Sequence, residues 1–207
     1  MSITLYHHPH TRAASVVWQL EEVGVPYTLA PVDLQSGAHK QPSMLALNPM
    51  GKLPILTDGG VVVTETAAIG LYLADRYASG CLAPTPDDPR RGPYLRWSLF
   101  APGVVEPASM AKAAGWTYRE TAAGWGNPAA MVEGLRAALQ PGPFVLGDAF
   151  SMADVILGAT LRYMLEFGLI DREPLFAAYV ARITDRPAWQ RAQAVNAKAA
   201  AAMGLGG

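Results

Sequence analysis

The spacing of apolar and polar positions changes character along the chain. The opening run "SITLYH" is β-branched and aromatic, and it predicts a strand. In "TRAASVVWQLEEVG", Ala13, Val16, Val17 and Leu20 recur at helical spacing and predict one apolar helix face. Gly24 ends that helix as a left-handed C-cap. "PYTLAPVDL" reads as a second strand, and "QPSMLAL" as a short helix. "LPILT" and "VVVT" are two further strands, joined by the hairpin turn Asp58-Gly59-Gly60. "ETAAIGLYLADRY" is a helix with Ile69, Tyr72, Leu73 and Arg76 on one face. The order up to Tyr77 is therefore β-α-β-α-β-β-α.

The pattern then breaks. "ASGCLAPTPDDPRRGP" holds four prolines and two glycines without periodicity, the mark of a linker. Beyond it only helical patterns recur: "RRGPYLRWSLFAPGVVEPASMAKAA", "NPAAMVEGLRAALQ", "SMADVILGATLRYMLEFGL", "PLFAAYVARITDR" and an Ala-rich tail from "PAWQRAQ". The expected organisation is a small α/β domain over 1–78, a linker over 79–89 and an all-helical domain over 90–207. Ser151 and Asp154 form an [ST]-x-x-[DE] capping box, flanked by a hydrophobic staple from Phe150 to Val155. This pair has a folding role, not a catalytic one.

Composition narrows the class. The chain has 207 residues, a formal net charge of −1 and 51% hydrophobic residues, which gives no electrostatic case for nucleic acid or an acidic membrane. No apolar run reaches the roughly 18 residues of a membrane span. The start "MSITLYHH" lacks the regions of a signal peptide. Cys81 is the one cysteine, so no internal disulfide or Cys-x-x-Cys pair is possible and a reducing, cytoplasmic location is expected. His7, His8 and His10 cluster, but no acid or cysteine completes a ligand set, and no metal site is expected.

The stretch "NPMGKLPILTDGGVVVTET" carries the candidate chemistry. Pro54 cannot donate to a ladder, which suits a strand start, an edge or a cis Leu53–Pro54 bond. A cis bond there turns the Leu53 backbone outward as an edge for an extended peptide ligand. Glu65 and Thr66 stand at a helix N-terminus. They serve either as an ordinary cap or as a receptor for both charges of an α-amino acid end, with Thr66 on the carboxylate and Glu65 on the ammonium.

These residues resemble the glutathione-binding half of a cytosolic glutathione S-transferase. The segments "SITLYHHPHTRAASVVWQLEEVGVPY", "FVLGDAFSMADVILGATL" and "RPAWQRA" resemble further parts of that family in the family's order. The subgroup is theta-, nu- or beta-like, as in bacterial members. The resemblance implies a thioredoxin-like N-terminal domain followed by an all-α domain. It implies that Leu53, before a cis Pro54, pairs with the cysteinyl backbone of glutathione. Glu65 and Thr66 would hold the γ-glutamyl end, and Lys52, with His39, the glycyl carboxylate. Lys52 and His39 also have a plain reading, as a solvated charge and a polar loop residue.

Such chemistry needs a thiolate. A free thiol has a pKa of about 8.5, and lowering it by about two pH units requires about 2.7 kcal/mol of differential stabilisation. The family supplies a Tyr, Ser or Cys near the end of the first strand, whereas this chain reads "YHHPHTRAAS". Thr11 is the best-placed hydroxyl, with helix capping as its plain alternative. Arg12 can stabilise a thiolate by charge, and His10 by charge or as a base. Tyr6 is expected to point into the core, and Ser15 lies a full turn into the helix.

Met110, Trp116, Tyr118 and Trp125, at loosely helical spacing, suit core packing or a hydrophobic electrophile. The leading expectation is a glutathione transferase acting on such an electrophile. The alternatives are a glutathione-dependent disulfide reductase or peroxidase, and a glutathione-binding protein with little turnover. The resemblance also implies a homodimer, with glutathione as co-substrate.

Overall fold

The structure is a computed structural model that describes residues 2–205. It divides into two units, one running to Tyr77 and taking in the chain again from Pro187, the other spanning Ala78–Arg186. The segment from 187 onward, read above as the end of the helical domain, thus packs within the first unit.

In that unit the strands are β1 (Ile3–His7), β2 (Tyr27–Pro31), β3 (Ile55–Asp58) and β4 (Val61–Thr64). They form one sheet in the order β2-β1-β3-β4. β1 pairs parallel with β2, while β3 runs antiparallel to both β1 and β4. The helices are α1 (Ala13–Val23), α2 (Pro42–Leu47) and α3 (Thr66–Tyr77), with a 3₁₀ turn at Ala38–Lys40 before α2. The predicted face of α1, Ala13, Val16, Val17 and Leu20, is wholly buried. Gly24 ends the helix with φ +74°, its N–H closing on the Leu20 carbonyl. Tyr6 packs beside Val32, Met44 and Ile55, as a core-facing strand residue.

The expected face of α3 is only half apolar. Ile69 and Leu73 are buried, while Tyr72 and Arg76 turn to Asp58 at the end of β3. Asp58 is 1% exposed and accepts from the hydroxyls of Tyr77 and Tyr72, with Arg76 alongside. The Tyr77 hydrogen bond, first among these, holds its carboxyl below the usual range. This cluster ties the hairpin to α3.

The second unit is helical: α4 (Arg91–Phe100), α5 (Glu106–Ala113), α6 (Pro128–Leu139), α7 (Met152–Glu166) and α8 (Pro174–Thr184). A π-helical turn, Ala101–Val105, joins α4 to α5. α7 is the centre of this unit, with buried residues on all sides. A Cβ at Gly158 would lie 2.1 Å from Ile183 Cδ1, so a larger residue there would have to push that side chain of α8 aside. The capping box at Ser151 and Asp154 is present. Residues 114–127 form turns and irregular chain, so Trp116, Tyr118 and Trp125 do not lie on a helix. Tyr118 and Trp125 instead pair across that connection, ring centroids 5.7 Å apart. The last helix, α9 (Pro187–Ala202), returns to the first unit and lies along α1.

Candidate functional site

Strand register decides which loops meet. β1 and β2 run the same way, with His7 beside Pro31, so the chain leaving each strand emerges at one end of the sheet. β3 runs the other way, with Ile55 beside Tyr6, so the segment entering it lies at that same end. β4 pairs Thr64 with Ile55, so Glu65 emerges there too. Residues 8–12, the connection bearing His39, Lys52–Pro54 and Glu65–Thr66 therefore gather at one sheet end, although about fifty residues of sequence separate the first from the last.

The Leu53–Pro54 bond is cis. Pro54 is buried, Leu53 half-buried and Lys52 exposed. The approach to Leu53 is shaped by Asn48, a residue that sequence reasoning missed. Asn48 is 4% exposed, and its Nδ2 donates to the Lys52 carbonyl at 2.9 Å. Its Oδ1 accepts from Met50 N–H at 3.1 Å. Lys40 Nζ donates to the Met50 carbonyl at 3.0 Å. Gly51 lies under that lysine with φ +56°, and a Cβ there would sit 2.8 Å from Lys40 Cδ and Nζ. The signal was present in "NPMG", an Asn-Pro turn closed by glycine. His39 is half-buried on the 3₁₀ turn, and its Nδ1 is buried without a hydrogen-bond partner.

Glu65 has φ +66°, the left-handed region, and it is exposed. Its carbonyl nevertheless starts α3, accepting from Ile69 N–H at 2.9 Å. For a residue with a Cβ this conformation costs roughly 1–2 kcal/mol. Strain of this kind gathers at functional positions. Behind it, the buried Gln19 of α1 donates from Nε2 to the Thr66 carbonyl at 3.0 Å.

The loop between β1 and α1 separates its three histidines. His7 and His8 are buried, at 1% and 6% exposure, and His10 is exposed. Burial, above all, holds the pKa of both His7 and His8 below the ordinary value. His8 Nδ1 accepts from His10 N–H at 3.2 Å, which leaves that nitrogen unprotonated. Thr11 Oγ1 donates to the His8 carbonyl at 2.8 Å and accepts from Ala13 N–H at 3.2 Å. Its single proton is thus committed to the loop, and giving it to a ligand requires a turn of the hydroxyl. Arg12 is exposed at the N-cap of α1. Ser15 Oγ donates back to the Arg12 carbonyl at 2.8 Å. Among the described residues no group of three or more His, Cys, Asp or Glu side chains is placed to hold a metal, and no helix is long and apolar enough to cross a membrane.

Residues 1–75 match the family model "Glutathione S-transferase, N-terminal domain". A glutathione S-transferase from Hyoscyamus muticus is 26% identical over 191 residues, covering 86% of this chain and 90% of that protein. Glutathione S-transferase 3 from Zea mays is 53% identical over 60 residues, which span 29% of this chain and 27% of that protein. Among solved structures, a glutathione transferase from Methylococcus capsulatus superposes with TM-score 0.75 at 28% identity, over 94% of this chain and 98% of that one. The fold is also that of a glutathione transferase from Phanerochaete chrysosporium, with TM-score 0.78 at 24% identity over 95% of this chain and 97% of that one. The N-terminal third of the chain, with the strands that gather these loops, thus matches the glutathione S-transferase N-terminal domain family, and the fold along nearly the whole chain is similar to that of solved glutathione transferases.

Proposed function

We propose that the protein binds glutathione at this sheet end and activates its thiol for attack on a hydrophobic electrophile, as a cytoplasmic homodimer. The strand register carries this reading, because it brings the backbone of Leu53, a charged helix start at Glu65–Thr66 and the loop of His10, Thr11 and Arg12 to one end of one sheet. Leu53 takes the cysteinyl backbone, Glu65 the ammonium and Thr66 the carboxylate of the γ-glutamyl end. Lys52 and His39 take the glycyl carboxylate. The sulfur then lies over the loop before α1. There a hydroxyl, a guanidinium or an imidazolium, with the positive end of the helix, lowers its pKa. The transferase solved from Phanerochaete chrysosporium holds oxidized glutathione, and one solved from Sulfitobacter holds glutathione.

The test is turnover of glutathione with an aryl halide, set beside reduction of a mixed glutathione disulfide. Conjugation without reduction supports the transferase. Reduction without conjugation moves the assignment to a reductase. The Thr11 proton, donated to the His8 carbonyl, favours a second reading: a glutathione-binding protein with little turnover. Calorimetric binding of glutathione with neither reaction would select it.

Asn48→Ala tests the approach to Leu53. It removes the bonds to the Lys52 carbonyl and the Met50 N–H. A lost hydrogen bond at a buried partner costs about 1–3 kcal/mol. The expected result is a lower Tm together with roughly tenfold weaker glutathione binding by calorimetry. Unchanged affinity would separate the Asn48 turn from the ligand.

A further inference from the structure

The loop of residues 8–12 is short, and one side chain from the far end of the sequence holds both of its ends. Asn196, on α9, accepts at Oδ1 from His7 Nε2 at 2.8 Å. Its Nδ2 donates to the Ala14 carbonyl at 3.1 Å. His7 is the last residue of β1, and Ala14 lies in the first turn of α1. A carbonyl only accepts, so the Ala14 bond fixes the amide with its oxygen toward His7. His7 Nε2 must then carry the proton, and the buried imidazole is a fixed donor.

The amide is not required to attach α9. Trp189 packs edge-on against Trp18 with centroids 5.0 Å apart. Arg191 donates to the Glu21 carboxylate at 2.7 Å and to the Glu21 carbonyl at 2.9 Å. Ala188 and Ala192 are buried. Those contacts hold the helix, while both hydrogen-bonding groups of Asn196 go to the two ends of one loop. In sequence the clustered histidines argue against a metal site, and His10 alone reads as a charge or base. The structure gives His7 another task.

We propose that Asn196 is a positioning residue for the thiol: by tying His7 to Ala14 it sets where His10, Thr11 and Arg12 stand relative to the glutathione sulfur. The inference rests on the functional reading above. Stabilisation of an anion depends steeply on donor placement, and an error of about 1 Å can cost up to about a hundredfold in rate. The clamp meets only the two residues that flank the loop, His7 and Ala14, and none of those proposed to hold the peptide of glutathione, which is therefore held as before.

The experiment titrates glutathione bound to the full-length protein by the ultraviolet absorbance of its thiolate, and measures kcat and Kd alongside. In Asn196→Ala the apparent thiol pKa is expected to rise by about one pH unit and kcat to fall about tenfold, with Kd for glutathione within about twofold. Asn196→Leu has a similar shape and keeps the side-chain volume that alanine loses, so it preserves the packing of α9 if the alanine variant unfolds, and the same shift is expected. Ala192→Gly loosens the same helix without touching the clamp, and is expected to lower Tm while leaving the thiol pKa in place. Both Asn196 variants titrating as wild type would overturn the inference. So would an equal thiol shift in Ala192→Gly, since the effect would then be general loosening. Absence of any bound thiolate in the unsubstituted protein would overturn the functional reading itself, which tells the two failures apart.

Discussion

Glu65→Gly is expected to abolish most glutathione binding without lowering Tm. Glu65 sits at φ +66°, where glycine is at ease and other residues lose roughly 1–2 kcal/mol. Glycine returns about 0.4–1 kcal/mol of this through the freer unfolded chain. The two nearly cancel, so Tm stays level or rises by a few degrees. Binding has no such compensation. A hydrogen bond to a charged group contributes about 1.5–3 kcal/mol, which makes the expected loss roughly 10- to 100-fold in Kd. Thermal melting and calorimetry on the same sample read both quantities. A variant with lower Tm and unchanged affinity would show the strained backbone to be structural and would remove Glu65 from the site.

Asp154→Ala is expected to do the reverse. Asp154 is fully buried, and its carboxylate accepts from Val145 N–H at 2.9 Å, Ser151 N–H at 2.9 Å and the Tyr179 hydroxyl at 3.0 Å. The Ser151 hydroxyl adds a fourth bond at 3.1 Å. Alanine leaves buried donors without an acceptor. At about 1–3 kcal/mol each, partly relieved by relaxation, the loss is about 3–5 kcal/mol. For a chain of this size that lowers Tm by on the order of 10 °C. This exceeds the roughly 1 kcal/mol of an ordinary cap, because the residue also holds Val145 and Tyr179. Glutathione affinity is expected to be unchanged.

Burial pushes the Asp154 carboxyl up to about 6, against the pull of its four donors. Its unfolded value is about 3.9, so between the two the folded state keeps a proton that the unfolded state has lost. This group's contribution therefore falls as pH rises from about 4 to about 6, then levels off. His7 and His8, held low, act oppositely: below about 6.5 the unfolded chain takes protons that the folded one resists, so acid costs stability. Subtracting the Asp154→Ala curve from wild type isolates the first slope. A flat difference would contradict the raised carboxyl.

Much of the fold could be read locally. The buried face of α1, the glycine that ends it, the β3–β4 hairpin and the capping box each lie within a dozen residues, and their spacing carries the physics. The candidate peptide-binding residues could be named from the short run 48–66, where a family resemblance is dense. What stayed hidden depends on distant partners. Tyr72 and Arg76 look like one helix face with Ile69 and Leu73 until β3 places Asp58 beside them. Trp116, Tyr118 and Trp125 have loosely helical spacing, yet their segment carries Gly115, Gly124, Gly126 and no apolar face to bury, and it forms no helix. Asn196 is one polar residue in an Ala-rich tail, and nothing near it in sequence points to His7 or Ala14. The loop between β1 and α1 was legible as a set of candidates but not as a hydrogen-bond network, since the Thr11 proton goes to a backbone carbonyl that no side-chain pattern reveals.

The central claim is that glutathione lies along Leu53 with its γ-glutamyl end at Glu65 and Thr66 and its sulfur over residues 10–12. A crystal structure with glutathione bound tests it most directly. The expected result is both backbone hydrogen bonds from Leu53 to the cysteinyl residue, the ammonium at Glu65, and a side chain of His10, Thr11 or Arg12 within about 3.5 Å of the sulfur. Glutathione seated away from Leu53 and Glu65, or a sulfur touching none of those three residues, would contradict it.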